Sequence, residues 1–269
     1  MSERNTERAA FLRSRRQRLT PEEVGLPRSG RRRIPTLRRE DVAWLADVGI
    51  TWYTWLEQGR PIKIASGTLD RIASALRLDD SESEYLRKVA QPNANKRPHW
   101  DAPVTEHIRA LVESYEPGYA FVMGPRWDVL ACNDAFAGLL ELNGASAGDL
   151  ERNGLWIMFT HQRMRSVFPA WEEIARRMVA TFRVEYADYV GDGAFGVLID
   201  ALTTRSPEFV AMWADVDVLS PTRWTLGEIR DPDSGSVVAL DTVSLSVPDS
   251  PGQTVVFNVP TRCEIAAAS

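Results

Sequence analysis

Eight consecutive residues, Gln91-Pro92-Asn93-Ala94-Asn95-Lys96-Arg97-Pro98, hold two prolines and no recurring apolar position. No helix runs through such a stretch, so the 269-residue chain divides there into two parts, each able to bury its own core. Charge divides at the same place. Residues 1–100 carry 20 Lys and Arg against 13 Asp and Glu, and residues 101–269 carry 12 against 24. The net −5 is therefore an average of a basic half and an acidic half, the mark of domains that meet different partners. We read a domain over 1–90, a linker over 91–103 and a second domain over 104–269.

The first part is helical throughout. Residues 4–18 form a basic amphipathic helix with Ala9, Phe11, Leu12 and Leu19 as sparse apolar points. Thr20-Pro21 with Glu23 has the form of a capping box. Helices follow over 37–46, 50–58, 66–77 and 80–90, the second stopped by Gly59 and Pro61. Arg31-Arg32-Arg33 lies in a basic loop.

The second part mixes periods. Residues 104–114, 133–142, 146–152, 166–183, 193–203 and 206–214 read as helices. Residues 119–123 and 127–131 read as a hairpin-like pair of strands. Residues 222–229, 237–240, 243–247 and 254–259 alternate as strands joined by turns. The whole is a two-domain chain: an all-α bundle, then an α+β domain with an antiparallel sheet.

Within the bundle, Leu37–Glu57 has the offsets of a helix-turn-helix. Ala43 is the small residue of the first helix and Asp47, four later, occupies a turn position requiring positive φ. Val48, Tyr53 and Leu56 have the spacing to lock the second helix inward, leaving Thr51, Trp52, Thr54 and Trp55 outward. Arg38, Arg39, Arg60 and Lys63 flank that helix where phosphates of a duplex would pass.

Residues 8–90 resemble the DNA-binding domain of Xre-type regulators, in the version found in MmyB-like proteins. The resemblance rests on Phe11-Leu12-Arg13-Ser14-Arg15-Arg16, Pro21–Leu26, Arg31–Arg33, Leu37–Ala43 and Thr51–Arg60. It implies that the start of the 50–58 helix enters the major groove. Thr51 and Trp55 would then face bases, with Arg39, Trp52 and Arg60 nearer the backbone. The sequence departs from the family at Asp47, usually Gly, and at Gly49, usually Ser. The departure at Gly49 removes a hydroxyl from the N-cap. A basic helical bundle that docks a protein partner is the alternative.

The acidic part is rich in large apolar side chains, which serve as core or line a concave pocket. The segments Trp127–Asn133, Ala170-Trp171-Glu172, Ser206–Phe209 with Trp213, Asp217-Val218 and Pro251-Gly252-Gln253 are similar to the MmyB-type ligand-binding domain. That likeness implies a PAS-like fold with a buried apolar cavity, as in a fatty-acid-binding relative. The candidate pocket residues are Phe121, Met123, Trp127, Phe136, Asn153, Trp156, Phe159, Trp171, Met178 and Trp213. Three positions where the family usually has basic groups are here Trp156, Asp231 and Val216. A bare carboxylate would lack a partner in such a pocket, so the implied effector is a neutral or cationic apolar molecule rather than a free fatty acid. A closed, ligand-free domain that only dimerises is the competing reading.

Other classes find little support. Cys132 and Cys263 fit neither metal spacing nor a disulfide framework, and His99, His107 and His161 are scattered. Gly191-Asp192-Gly193 lacks the flanks of a calcium or phosphate loop. No apolar run approaches a membrane span, and the N-terminus lacks the apolar core of a signal peptide. We therefore expect a cytoplasmic, non-enzymatic regulator without cofactor or metal. It would be a homodimer on a two-fold site in double-stranded DNA, answering to a small apolar effector.

Overall fold

The computed structural model describes residues 2–27, 35–91, 103–142, 149–219, 227–230 and 235–260. The chain gathers into two compact units. One comprises Met1–Arg97 together with Arg183–Val197 and Ala211–Ser220; the other comprises Pro98–Phe182, Leu198–Val210 and Pro221–Ser269. Most of the 91–103 linker and the Arg31–Arg33 loop lie outside the described residues.

The first unit begins with α1 (Glu3–Arg18), whose first turn is capped by Ser2 accepting from the Asn5 N–H at 3.4 Å. Thr20 and Glu23 do exchange capping hydrogen bonds, at 2.6 and 3.4 Å, but they open only a single 3₁₀ turn, Glu22–Val24. Gly25 ends it at φ 79°, a conformation cheap only for glycine. Next come α2 (Arg39–Leu45), α3 (Ile50–Glu57), α4 (Ser66–Ala75) and α5 (Asp80–Ala90). A reciprocal Asp79–Glu82 capping box, at 2.8 and 3.1 Å, starts α5. Phe11, Leu12, Val42, Tyr53, Leu56, Ile72, Tyr85 and Leu86 form the core, and Ala187 and Val216 join it from the later segments. Each such burial contributes roughly 1.5–3 kcal/mol for a large side chain, and α2 and α3 both contribute to this shared core.

Polar ties inside this unit are numerous and come largely from α1. Glu7 accepts from Arg183 at 2.9 Å and from the Tyr85 hydroxyl at 2.8 Å. Arg15 pairs with Glu82 at 2.7 Å and donates to the Val216 carbonyl at 2.8 Å. Arg4 donates to the Ala187 carbonyl at 2.7 Å. The helix read from the sequence as basic and sparsely apolar thus buries Arg8 and Arg15 as well as Phe11 and Leu12.

The second unit is built on a five-stranded antiparallel sheet in the order β2-β1-β5-β4-β3, a PAS-like α+β arrangement. Its strands are β1 (Tyr119–Met123), β2 (Val129–Cys132), β3 (Gly227–Arg230), β4 (Val237–Ser246) and β5 (Thr254–Pro260). The register sets Phe121 opposite Val256 and Val243 opposite Phe257. Strand β4 is continuous where alternation suggested two pieces. Asp241 and Thr242 keep their pairing, and Thr242 donates to the buried Asn258 side chain at 2.8 Å.

Period-two alternation assigns the faces of β1 and β5, while β2 breaks it at a register irregularity opposite Val122 and Met123, so that Val129 and Ala131, two residues apart, face opposite sides. Ala120, Val122, Ala131 and Val255 cluster with Val112 of α6 (Glu106–Glu113). Phe121, Met123 and Val129 point the other way, toward α7 (Asp134–Leu140), α8 (Gly154–Thr160) and α9 (Met164–Val167).

Helix α8 is invisible to a periodicity search because Leu155-Trp-Ile-Met-Phe159 is apolar all round, and α9, Met164-Arg-Ser-Val167, is a single turn too short to show a period. Helix α10 (Trp171–Tyr189) starts later than the 166 expected, since Pro169 forces Phe168 into an extended conformation. It also runs beyond the expected 183, ending before Gly191 at φ 89°. Helix α11 spans Gly193–Arg205, and α12 (Pro207–Ala214) carries proline at its first position, capped by Ser206 accepting from Phe209 N–H at 3.1 Å. The 146–152 helix is, from residue 149 on, only a 3₁₀ turn at Leu150–Arg152.

Candidate functional sites

The first site is the α2–turn–α3 segment. The Arg38 backbone N–H donates to the Asp41 carboxylate at 2.8 Å and so opens α2. At the turn, Asp47 takes φ 50°, the left-handed position for which the sequence marked it. The Val48 N–H returns to the Ala43 carbonyl at 3.0 Å, and Arg71 of α4 donates to the Ala46 carbonyl at 2.9 Å. Gly49 caps α3 without a side chain, and Tyr53 and Leu56 are fully buried beneath it.

Sequence reasoning missed the polar anchor under α3. Glu57 is 0% exposed and accepts from Arg16 twice at 2.7 Å and from Arg39 at 2.9 Å. Burial pushes its carboxyl up, but the Arg16 hydrogen bonds and the two guanidinium charges outweigh that and hold it below the usual carboxylate value. The signal was available in hindsight: an acid on the last turn of an otherwise uncharged α3 needs basic partners when buried. Burial against Glu57 likewise pushes the Tyr53 phenol up.

This anchor gives Arg39, expected to sit near a backbone phosphate, a second task within the fold; it stays 37% exposed. Trp52 is half-buried against the core rather than fully outward. The exposed surface of α3 consists of Ile50 (42%), Thr51 and Trp55 (40%), with Thr54 half-buried. The Arg60 guanidinium lies 5.3 Å from the Trp55 ring centroid, within cation–π range, and Arg38 and Lys63 are exposed nearby in sequence. Trp44, near the end of α2, is 72% exposed.

The second site is a cavity in the sheet-containing unit, enclosing about 50 Å³. Its wall carries the aromatic residues Phe121, Trp127, Phe136 and Phe168 and the methionines Met123, Met158, Met164 and Met178. Four of the chain's six methionines therefore meet at one cavity. Among the described residues, no ionisable side chain lines it. Phe121 and Phe136 stack at 4.2 Å, and Trp127 meets Phe182 edge-on at 5.5 Å.

Trp127 holds φ 69°, an outlier for a bulky residue, which is why β2 begins only at Val129. A buried polar knot keeps it there. Arg126 grips Asp128 at 2.8 and 3.0 Å, and the Asn153 amide donates to the Arg126 carbonyl at 2.7 Å and to Asp128 at 3.1 Å. Asn153 also accepts from the N–H groups of Leu155 and Trp156, and Gly154 N–H donates to the Trp127 carbonyl at 2.8 Å.

Of the ten residues expected at a pocket, Phe121, Met123, Trp127, Phe136 and Met178 meet at this cavity. The other five lie elsewhere. Asn153 is the buried joint just described, with its amide fully used. Trp156 is half-buried on α8. Phe159 and Trp171 belong to a neighbouring aromatic cluster with Phe209, at 5.7 and 5.3 Å, where the Trp171 indole N–H donates to the Met158 carbonyl. Trp213 is placed in the other unit, stacked under Arg183 at 3.7 Å and edge-on to Tyr186 at 5.6 Å. Val216, compared above with a basic family position, is buried in that same unit, and Asp231 lies outside the described residues.

Two family models match the chain. The MmyB-like transcription regulator ligand binding domain covers residues 104–268, and a helix-turn-helix domain covers residues 8–86. No curated protein matches. Among the described residues, no helix is long and apolar enough to cross a membrane.

Proposed function

The chain belongs to the MmyB-like transcription regulators, with a DNA-binding helix-turn-helix and a ligand-binding domain, and from that premise we propose how each half works. Helix α3 enters the major groove of a duplex, with Thr51, Thr54 and Trp55 toward the bases and Arg38, Arg60 and Lys63 toward phosphates. One such helix reaches only a few base pairs, so a homodimer on a two-fold operator is the working form.

The effector is a neutral apolar molecule held among the methionines of the cavity. The observation that carries this is a wall of aromatic and thioether groups with, among the described residues, no charged side chain to pair a carboxylate. At about 50 Å³ the cavity is smaller than the roughly 150 Å³ apolar void that admits benzene, so the lining must repack around a guest. Methionine, unbranched and with three rotatable bonds, repacks more cheaply than branched side chains. Binding alters DNA affinity only if the effector favours one of two conformations, since equal affinity for both shifts nothing.

Two measurements test this. Duplex binding weakens steeply with added salt and varies with sequence. In a thermal-shift series, long-chain alcohols and methyl esters raise the melting temperature more than fatty acids of equal length. Tighter binding of the fatty acids overturns the effector assignment.

A further inference from the structure

Specific readers of the major groove mostly use Arg or Lys on guanine, and Asn or Gln on adenine. The exposed side of α3 offers none of these. Its outward residues are Ile50, Thr51, Thr54 and Trp55, and its N-cap is Gly49, which contributes no side chain. The first amide is Gln58, at the C-cap, eight residues and so about 12 Å along the axis from Ile50. Ile50 is the first residue of α3, where a recognition helix meets base edges, and it keeps 42% of its surface exposed.

An isoleucine facing a base edge cannot answer a donor or acceptor and would leave that group without water. The one major-groove group it can cover favourably is the C5-methyl of thymine. Thr51 and Thr54 add methyls as well as hydroxyls. Trp55, held beside Arg60, extends the apolar surface. We propose that Ile50 is a specificity-determining residue and that this helix reads its operator chiefly through thymine methyl groups. This rests on the duplex reading above and names what that helix recognises.

The test begins with duplexes selected by the full-length protein from a random pool. In the best duplex each thymine is replaced, one at a time, by deoxyuridine, which pairs identically but lacks the methyl. At one thymine per half-site, the wild type should bind the deoxyuridine duplex about fourfold more weakly, the loss of one buried methyl. Ile50→Ala should bind the two duplexes equally, and Ile50→Val should keep part of the preference. Ile50 is half-exposed, so these variants fold, which circular dichroism verifies. If selection succeeds but every deoxyuridine duplex binds like its parent, or if Ile50→Ala keeps the preference, methyl readout is wrong and DNA binding stands. If no duplex is enriched at any salt concentration, the DNA reading fails and this proposal with it.

Discussion

Replacing Glu57 by glutamine probes whether α3 is aimed by a buried charge. The wild-type carboxylate has no solvent exposure and sits between Arg16, 11% exposed, and Arg39, 37% exposed. Glutamine keeps one acceptor oxygen but turns an NH₂ donor toward a guanidinium and removes the charge that both arginines answer. Losing one partner of a fully buried pair costs about 3–5 kcal/mol. Arg39 can swing into water and Arg16 still donates to the Leu37 carbonyl at 2.8 Å, so the lower end, about 3 kcal/mol, applies here. For a unit of this size that lowers the melting temperature by roughly 10 °C. Circular dichroism melts of Glu57→Gln, Arg39→Ala and the double variant give the coupling directly, which should exceed about 0.5 kcal/mol. The pH dependence has a fixed sign. The folded carboxyl lies below its unfolded value, so its stabilisation is present above the ordinary carboxylate range and lost as pH falls through the folded value. The gap between wild type and variant should therefore close below about pH 4. A Glu57→Gln melting temperature within about 2 °C of wild type at neutral pH, equivalent to about 0.5 kcal/mol, would refute the anchoring argument.

The remaining expectations concern both sites. Arg38→Ala and Lys63→Ala should weaken binding to all duplexes alike and each reduce the slope of log affinity against log salt by about one. Gly49→Ser, whose added Cβ meets open space, should raise stability by a few tenths of a kcal/mol in thermal melts by restoring an N-cap hydroxyl. Met164→Trp should abolish stabilisation by lipophilic alcohols by filling the cavity, at a cost of about 1–3 kcal/mol from overpacking. Asn153→Ala should lower the stability of the sheet-containing unit by about 2–3 kcal/mol in denaturant titrations, because the Arg126 carbonyl and two N–H groups of α8 lose a buried partner.

Legibility followed the range of the interactions. Asp47 at its turn, the Ser206-Pro207 start of α12 and the strand over Tyr119–Met123 are set by neighbours in sequence, and local rules found them. Helix α8 was hidden because an apolar-all-round segment has no period to detect, and α9 because four residues are too few to show one. The cavity was half legible. Residues on alternating strand positions, Phe121 and Met123, could be placed by period two, whereas Trp213 and Trp171 were named for their size, their apolar character and their likeness to the family. Their positions depend on partners distant in sequence, Arg183 for one and the Met158 carbonyl for the other. Glu57 and Ile50 were passed over for a related reason: an acid on a basic domain and an aliphatic on a reading helix both look out of place until burial and exposure are known.

The basic excess of residues 1–100 also needs dividing before it is assigned to DNA. Arg8 and Arg15 are buried, and burial pushes both below the ordinary arginine value, with the Arg18 charge adding to the effect at Arg15 and Glu82 opposing it. Arg4 is held by backbone carbonyls, Arg16 by Glu57, and Lys88 by Asp188 at 3.0 Å. These cations shape the unit, and a duplex cannot also claim the buried ones without unfolding it. Among the described residues, the surface left to meet phosphate near α3 is Arg38, Arg60, Lys63 and the exposed third of Arg39, set around a helix with no charge of its own on its outward side. Phosphate contacts of that kind fix position and carry no sequence information. With α3 as the proposed reading helix, discrimination between operators would come from the uncharged residues, which would give Ile50, Thr51 and Trp55 a share of specificity larger than the charge distribution suggests.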